Sequence, residues 1–332
     1  MARVLICILG YGERPPNLQG LEALCRHDAT ATMLVTWHRP GADTATALLK
    51  LATISGKVCV ETTDENRGSA GGYARLLDRA AAVPDWDYLL LLDDDLDISP
   101  GALDRLVAVA EADPAGHQTL FMAYRRGLAE LKLLVERGLP LRDITPGACV
   151  GFHLRHATGL PGRSSSRLHA GKLLLDAAPY GGLLLPRGCL ARLGSPETNL
   201  FLYADDAEWT LRFTRGGGLI RLVPEAEVVD RSPSWNATES GGGNLARRIL
   251  HMSPAKAYYE VRNRNFLARK YYAGNPFIYA LNRTVFLAAV HLLAAANGKF
   301  ARARLIKRAI RDGEAMARLP LSAWPSPPAG LD

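Results

Sequence analysis

The first 112 residues alternate short apolar runs with helix-like spacing, and that rhythm restricts the chain to an α/β arrangement. RVLICIL (3–9), ATMLVTW (31–37), KVCVET (57–62) and residues 86–92 read as strands. The first is apolar at every position after Arg3, the mark of a strand covered on both faces. Helices are expected over 17–27, 43–53, 69–82 and 100–112, the last opened by Pro100. Such alternation builds a largely parallel sheet, whose ligands bind beyond the carboxyl ends of its strands.

The fourth run ends in an unusual way. YLLLLDDDLD (88–97) drives four leucines straight into Asp93, Asp94 and Asp95, with Asp97 one residue further on. Two like charges about 4 Å apart repel by roughly 4 kcal/mol at an effective dielectric near 20. Either the carboxylates face open water near a helix start, where acids are favourable, or they hold a cation. Asp97 or Ser99 suits the cap of the following helix, which leaves the triplet for a hard cation such as Mg²⁺ or Mn²⁺ beside substrate phosphates.

Two further motifs carry chemistry. Asp205-Asp206-Ala207-Glu208-Trp209 follows the apolar NLFLY; it is a capping-box-like helix start, or it supplies a general base beside a metal diphosphate. Asn66-Arg67-Gly68-Ser69-Ala70-Gly71-Gly72 is a glycine-rich loop opening a helix, suited to anions but neither a dinucleotide fingerprint nor a P-loop.

Composition supports a globular reading: 332 residues, 48% hydrophobic and 22% charged. The net charge of +7 favours anionic partners such as nucleotides, phospholipids or nucleic acid, without choosing among them. Five scattered cysteines, Cys7, Cys25, Cys59, Cys149 and Cys189, lack CxxC spacing and read as reduced, mostly buried thiols of a cytoplasmic protein. The N-terminal apolar run reads as a strand and not a signal peptide, so the sequon at 236–238 carries no weight. From about 113 to 178 the pattern loosens, with PGRSSSRLHAG (161–171) as an expected lid or acceptor loop. Strands at about 219–223 and 226–230 precede a linker-like turn at 235–244, and helices dominate after 254. A boundary near 245 divides the chain into 1–245 and a C-terminal helical region, 246–332.

Together the motifs resemble an inverting family 2 glycosyltransferase with the GT-A fold, a Rossmann-like nucleotide-sugar-binding domain with a mainly parallel sheet. The resemblance spans about residues 3–275 and rests on the DDD triplet paired with DDAEW, supported by YGGLLLPRG (180–188). Tyr258-Tyr259-Glu260-Val261-Arg262-Asn263-Arg264-Asn265 is similar to the YYxxRN helix of bacterial rhamnosyltransferases and galactofuranosyltransferases. The resemblance implies that Asp93 and Asp95 hold Mn²⁺ or Mg²⁺ against the donor diphosphate, while Asp94 contacts the nucleotide-sugar. It makes Asp206 the base, with Asp205 and Glu208 orienting hydroxyls and Trp209 walling the sugar pocket. Asn66, Gly71 and Gly72 would lie near the nucleotide, with Gly10–Arg14 and Thr36–His38 flanking its base. One departure stands out. Galactofuranosyltransferase-like relatives often carry a metal-binding histidine where Asp230 ends its strand here, so the third ligand is Asp230, His251 or water.

The implied activity is metal-dependent transfer of rhamnose or galactofuranose from a dTDP- or UDP-sugar. The acceptor hydroxyl would belong to a cell-surface glycan or a polyprenyl-linked precursor; a small natural product is an alternative acceptor. Rival readings are a sugar nucleotidyltransferase and a non-catalytic nucleotide-sugar binder, and no nucleic-acid partner is expected. Arg262 and Arg264 either contact diphosphate or acceptor or form a solvated face. Residues 284–296 make a 13-residue apolar run, short of a bilayer span and expected to be a buried packing helix. Lys299, Arg302, Arg304, Lys307, Arg308 and Arg311 then form a basic helix, suited to a peripheral contact with the inner face of the plasma membrane or to a homodimer.

Overall fold

A computed structural model describes residues 2–138, 145–157, 166–169, 171–231 and 245–331. The sequon at 236–238, the turn at 235–244 and most of the loop at 161–171 lie outside these residues. The described residues fall into two compact units. One comprises Met1–Leu141, Ser165–Phe201 and Asp206–Thr238; the other comprises Arg142–Ser164, Leu202–Asp205 and Glu239–Asp332.

The first unit is built on β1 (Val4–Tyr11), β2 (Thr30–His38), β3 (Val58–Thr63) and β4 (Tyr88–Asp93), joined by α1 (Leu18–Arg26), α2 (Ala42–Ile54) and α3 (Gly68–Ala82). It continues through β5 (Leu96–Ile98), α4 (Ala102–Glu111), β6 (Thr119–Arg125) and α5 (Ala129–Arg137). After α6 (Leu154–Ala157) of the second unit come β7 (Ser166–His169), β8 (Lys172–Leu175), β9 (Leu183–Pro186), α7 (Arg187–Leu193), α8 (Asp205–Arg215) and β10 (Leu219–Asp230). The sheet runs β3-β2-β1-β4-β9-β6-β10-β8-β7, with β5 paired to β10. Strands β1 to β4, β6 and β10 share one direction; β9 runs against its neighbours β4 and β6.

Two cores explain the unbroken apolar runs. Val4, Ile6 and Ile8 of β1 and Leu90 and Leu92 of β4 pack on the face covered by α1, α2 and α4. Leu5 and Cys7, with Leu89 and Leu91, pack on the opposite face against α3, α7 and α8. A strand buried on both sides has no position for a polar residue until it emerges from the sheet. The helices follow suit: α1 buries Leu21, Leu24 and Cys25, one stripe at helical spacing.

Three expectations are corrected in this unit. The stretch around 119–125 is no loose segment: β6 lies centrally, buried along its whole length. Residues 219–230 form one strand with a register shift between Val223 and Glu227, not two. Neither Asp97 nor Ser99 caps α4, which starts from Gly101 in the left-handed region (φ 69°) without a side-chain cap. Asp97 instead lies in β5 and accepts from Nδ2 of Asn17 at 2.6 Å.

The second unit contains α9 (Leu245–His251), α10 (Pro254–Tyr271), α11 (Pro276–Ala296) and α12 (Phe300–Met316). Helix α10 is buried over most of its surface and lies so near α12 that a Cβ on Gly313 would sit 2.3 Å from the Arg262 carbonyl. The apolar run at 284–296 belongs to a longer helix than its sequence suggested. Helix α11 has 21 residues, of which an 18-residue stretch has a mean hydropathy of 1.5, long and apolar enough by length and composition to cross a bilayer, and only 28% of that stretch is buried. The polar residues that interrupt the run face inward. Asn282 donates to the Gly147 carbonyl and accepts from the Leu154 amide, and Arg283 pairs with Glu314. The outer face stays uncharged, with Phe277, Leu281 and Leu292 exposed.

Candidate active site

The carboxyl end of β4 delivers Asp93, Asp94 and Asp95 to the edge of the sheet, as the strand rule requires. Oδ1 of Asp93 accepts from the Tyr73 hydroxyl at 2.8 Å, and Oδ2 accepts from Nη1 of Arg125 at 3.1 Å. The Asp94 amide donates to the Leu9 carbonyl at 3.1 Å, which fixes the turn against β1. Asp230 ends β10 and pairs across to Leu96, so the strand register carries it to the triplet.

Arg125, at the end of β6, sits among these acids. Its Nε and Nη2 both donate to Oδ1 of Asp230 while Nη1 reaches Asp93. Arg125 is only 8% exposed. Burial disfavours its charge, but Asp230, Asp93 and Asp95 more than restore it and hold its pKa above the ordinary arginine value. The cation that the triplet demands is therefore supplied in part by the chain itself. Sequence reasoning missed Arg125; its signal was an apolar strand, TLFMAY, ending in arginine as YLLLL ends in aspartate.

One guanidinium does not balance four carboxylates. Asp94 is pushed up to about 7 by burial first and then by Asp95 and Asp93. Asp95 is raised by burial and by Asp93, against the lowering pull of Arg125. Oδ2 of Asp230 is buried without a hydrogen-bond partner among the described residues. Among the described residues, no three His, Cys, Asp or Glu side chains form a ready-made metal-ligand set. The oxygen-only donors and surplus negative charge nevertheless fit a hard cation that completes its shell with water and phosphate.

Close packing at the cluster requires glycine. A Cβ on Gly181 would lie 2.4 Å from Oδ2 of Asp93, and one on Gly127 would lie 2.0 Å from Oδ2 of Asp230. Either side chain would push a carboxylate out of place.

Asp206 opens α8, its Oδ1 accepting from the Ala207 amide at 2.7 Å. Just before it, Phe201, Tyr203 and Ala204 have φ of 63°, 66° and 60°, a run of left-handed non-glycine residues. Within the second unit, Nδ2 of Asn263 donates to the Leu202 and Tyr203 carbonyls and holds this turn. Asp205 is buried, as is Glu208, which pairs with Arg212 at 2.9 Å.

Trp209 does not wall a pocket. It is fully buried, donates from Nε1 to the Gly194 carbonyl and packs on Tyr180. Tyr180 in turn stacks on Tyr73 with centroids 4.0 Å apart, so an aromatic ladder runs from α8 to the hydroxyl that holds Asp93.

The glycine-rich loop divides its roles. Oδ1 of Asn66 accepts from the Gly68 amide, and the Ala70 amide donates to the Phe201 carbonyl, fastening the start of α3 to the segment before α8. Gly71 packs on the Arg67 side chain, and Gly72 packs under Leu9 and the buried His38, so both serve helix packing. Trp37 donates to the Gly12 carbonyl, joining the ends of β1 and β2. Arg262 is buried in the second unit over the rings of Tyr258 and Tyr259, and Arg264 pairs with Glu260. His251 is exposed in α9, its Nδ1 at the Arg247 carbonyl.

The mainly parallel sheet with acids at its carboxyl edge and C-terminal helices following is the GT-A fold. In sequence the chain is similar to the galactofuranosyltransferase GlfT2 of Mycobacterium tuberculosis, at 24% identity over 213 residues. That match covers 63% of this chain and 31% of the relative, so the chain spans less than a third of that protein's length. No family model matches the chain. Among solved structures, GalNAc-T7 with UDP, GalNAc and Mn²⁺ superposes with a TM-score of 0.52 at 12% identity, covering 96% of this chain and 59% of that one. The mannosyltransferase PcManGT from Pyrobaculum calidifontis, with GDP-Man and Mn²⁺, gives a TM-score of 0.47 at 16% identity, covering 94% and 83%.

Proposed function

We propose that this chain is a metal-dependent inverting glycosyltransferase that moves a sugar from a nucleotide-sugar to an acceptor hydroxyl. The observation that carries the reading is the triplet of carboxylates on β4, in negative surplus over the Arg125 guanidinium. Asp93 and Asp95 would hold Mn²⁺ or Mg²⁺. When bound, the ion neutralises charge growing on the departing nucleoside diphosphate. Asp94 orients the nucleotide-sugar, and Asp230 anchors Arg125 beside the diphosphate, with its unpartnered Oδ2 left to complete the ion's shell. Asp206 takes the proton of the acceptor hydroxyl as that oxygen attacks the anomeric carbon from the side opposite the leaving group. One displacement inverts the configuration, so a single base suffices where a double displacement needs two carboxylates.

Galactofuranose or rhamnose is the proposed sugar, on UDP or dTDP. The relative in Mycobacterium tuberculosis is named as a galactofuranosyltransferase, and the GalNAc-T7 structure holds UDP and Mn²⁺. A glycan or polyprenyl-linked acceptor suits the uncharged face of α11, which would lie against the inner face of the plasma membrane or a second copy. A panel of nucleotide-sugars, assayed for Mn²⁺-dependent binding and slow hydrolysis, tests the reading. Binding of none of them removes it.

One observation favours a second reading. Arg125 already stands between Asp93 and Asp230, so its guanidinium could balance the diphosphate without a metal ion. Sugar transfer undiminished by chelation selects that version.

A further inference from the structure

Within the second unit a surface cleft of about 350 Å³ is lined by Leu250, His251, Met252, Lys299, Arg302 and Leu305, among others. Among the described residues its lining offers three cationic or ionisable nitrogen side chains, His251, Lys299 and Arg302, and no carboxylate. Lys299 reaches the Leu250 carbonyl with Nζ at 3.3 Å, which fixes the ammonium at the cleft. Arg302 is different. Its Nη1 is buried with no hydrogen-bond partner among the described residues, and no ion pair engages its guanidinium there. Burial lowers its pKa, with no acid among the described residues to restore the charge. Arg125 in the first unit shows the contrast: a guanidinium more deeply buried, but ringed by three carboxylates.

The local backbone adds to the same polarity. Helix α12 starts at Phe300 after Lys299 with no side-chain cap; the Arg302 amide donates back to the Lys299 carbonyl, which leaves the amides of Phe300 and Ala301 at the positive end of the helix, beside the cleft lined by Ala301 and Arg302. Leu250, Met252 and Leu305 supply apolar walls that strengthen charge interactions by excluding water. Arg302 is only partly buried and its guanidinium has no acid partner among the described residues, so an anion with several acceptor oxygens suits its solvent-reachable N–H groups together with the lysine and the helix start.

We infer that this cleft binds a phosphate group, held by Arg302, Lys299 and the start of α12, with His251 at its edge. The chemistry is shared by a free phosphate or diphosphate and by the headgroup of an anionic lipid. Exposed Phe300 next to Lys299 and exposed Leu292 on α11 suit the second source. The site lies wholly in the second unit and stands independently of the transferase reading.

The test uses the full chain in EDTA, so that no metal at the first unit contributes. Calorimetry with inorganic phosphate and pyrophosphate at constant ionic strength reads the free anion. Sedimentation with phosphatidylcholine vesicles, with and without phosphatidic acid, reads the headgroup. The wild-type chain is expected to bind in at least one arm, and Arg302→Gln to weaken that binding at least about tenfold, the worth of a charge-assisted contact. Binding to the anions alone assigns free phosphate; binding to phosphatidic acid vesicles alone assigns the lipid headgroup. Should Arg302→Gln fail to give a native circular dichroism spectrum, Lys299→Gln takes its place with the same expectation. The inference fails if neither probe binds, if these variants bind like wild type, or if Arg304→Gln, on the exposed face of α12, loses as much as Arg302→Gln.

Discussion

Arg125 and Asp230, 105 residues apart, close a buried ion pair in which Nε and Nη2 of the guanidinium share one carboxylate oxygen, leaving Nη1 for Asp93. Strand β6 brings the cation and β10 the anion because the two strands run side by side in parallel. The pair turns a cluster of like charges into a structure that can exist without a ligand.

Cutting it should be expensive. Removing one partner of a buried pair typically costs about 3–5 kcal/mol, because the other is left desolvated and unpaired. Arg125→Met is expected to lose about that much in urea unfolding. Combined with Asp230→Leu it should lose less than Arg125→Met alone. A loss below about 1 kcal/mol for the single variant would show that the pair is solvated and not structural.

Asp206→Asn keeps the shape of the α8 start and removes the proposed base. Transfer is expected to fall at least about 10²-fold, the usual scale for a general base, with nucleotide affinity nearly unchanged. Wild-type turnover in this variant would assign the proton transfer elsewhere.

Asp95→Ala should abolish the dependence of nucleotide binding on Mn²⁺. The measurement is a titration of UDP and dTDP with and without the ion. If affinity in the variant still rises with Mn²⁺ as in wild type, the triplet does not hold the metal.

His38 gives a pH prediction. It is only 2% exposed, and burial first, then Arg67, lowers its pKa below 6.5, against the opposing pull of Glu65 and Glu61. The unfolded chain therefore binds this proton more readily than the folded one. The contribution to stability is complete above the unfolded value of about 6.5 and is lost as pH falls through the lower folded value. Urea midpoints should drop below about pH 6.5 more steeply for the wild-type chain than for His38→Gln. Parallel slopes would mean that His38 does not titrate differently in the two states.

Much of this was legible in the chain. Strands β1 to β4 and the four helices up to Glu111 follow from apolar periodicity, most sharply β1 and β4, whose burial on both faces admits nothing else, whereas the short β5 left no such pattern. YLLLLDDD announced both a strand and the acids at its end. Strand β6 was not legible because its seven residues stand amid irregular segments, and a short apolar run does not reveal its type by periodicity. Trp209 was placed at a pocket wall by the family resemblance alone, but α8 turns its ring into the core. In α11 the sequence showed where the polar residues were, but not that Asn282 and Arg283 faced inward.

By itself, then, the sequence determined the alternating elements, the sheet edge at which charge collects and the acids that collect there. Those depend on local periodicity, which neighbouring residues carry. The tertiary structure decided which cation meets those acids, which glycines let the carboxylates approach, and that Arg302 meets no acid among the described residues. Those depend on strand order and helix packing, which bring together residues a hundred positions apart, and no local pattern encodes such distances.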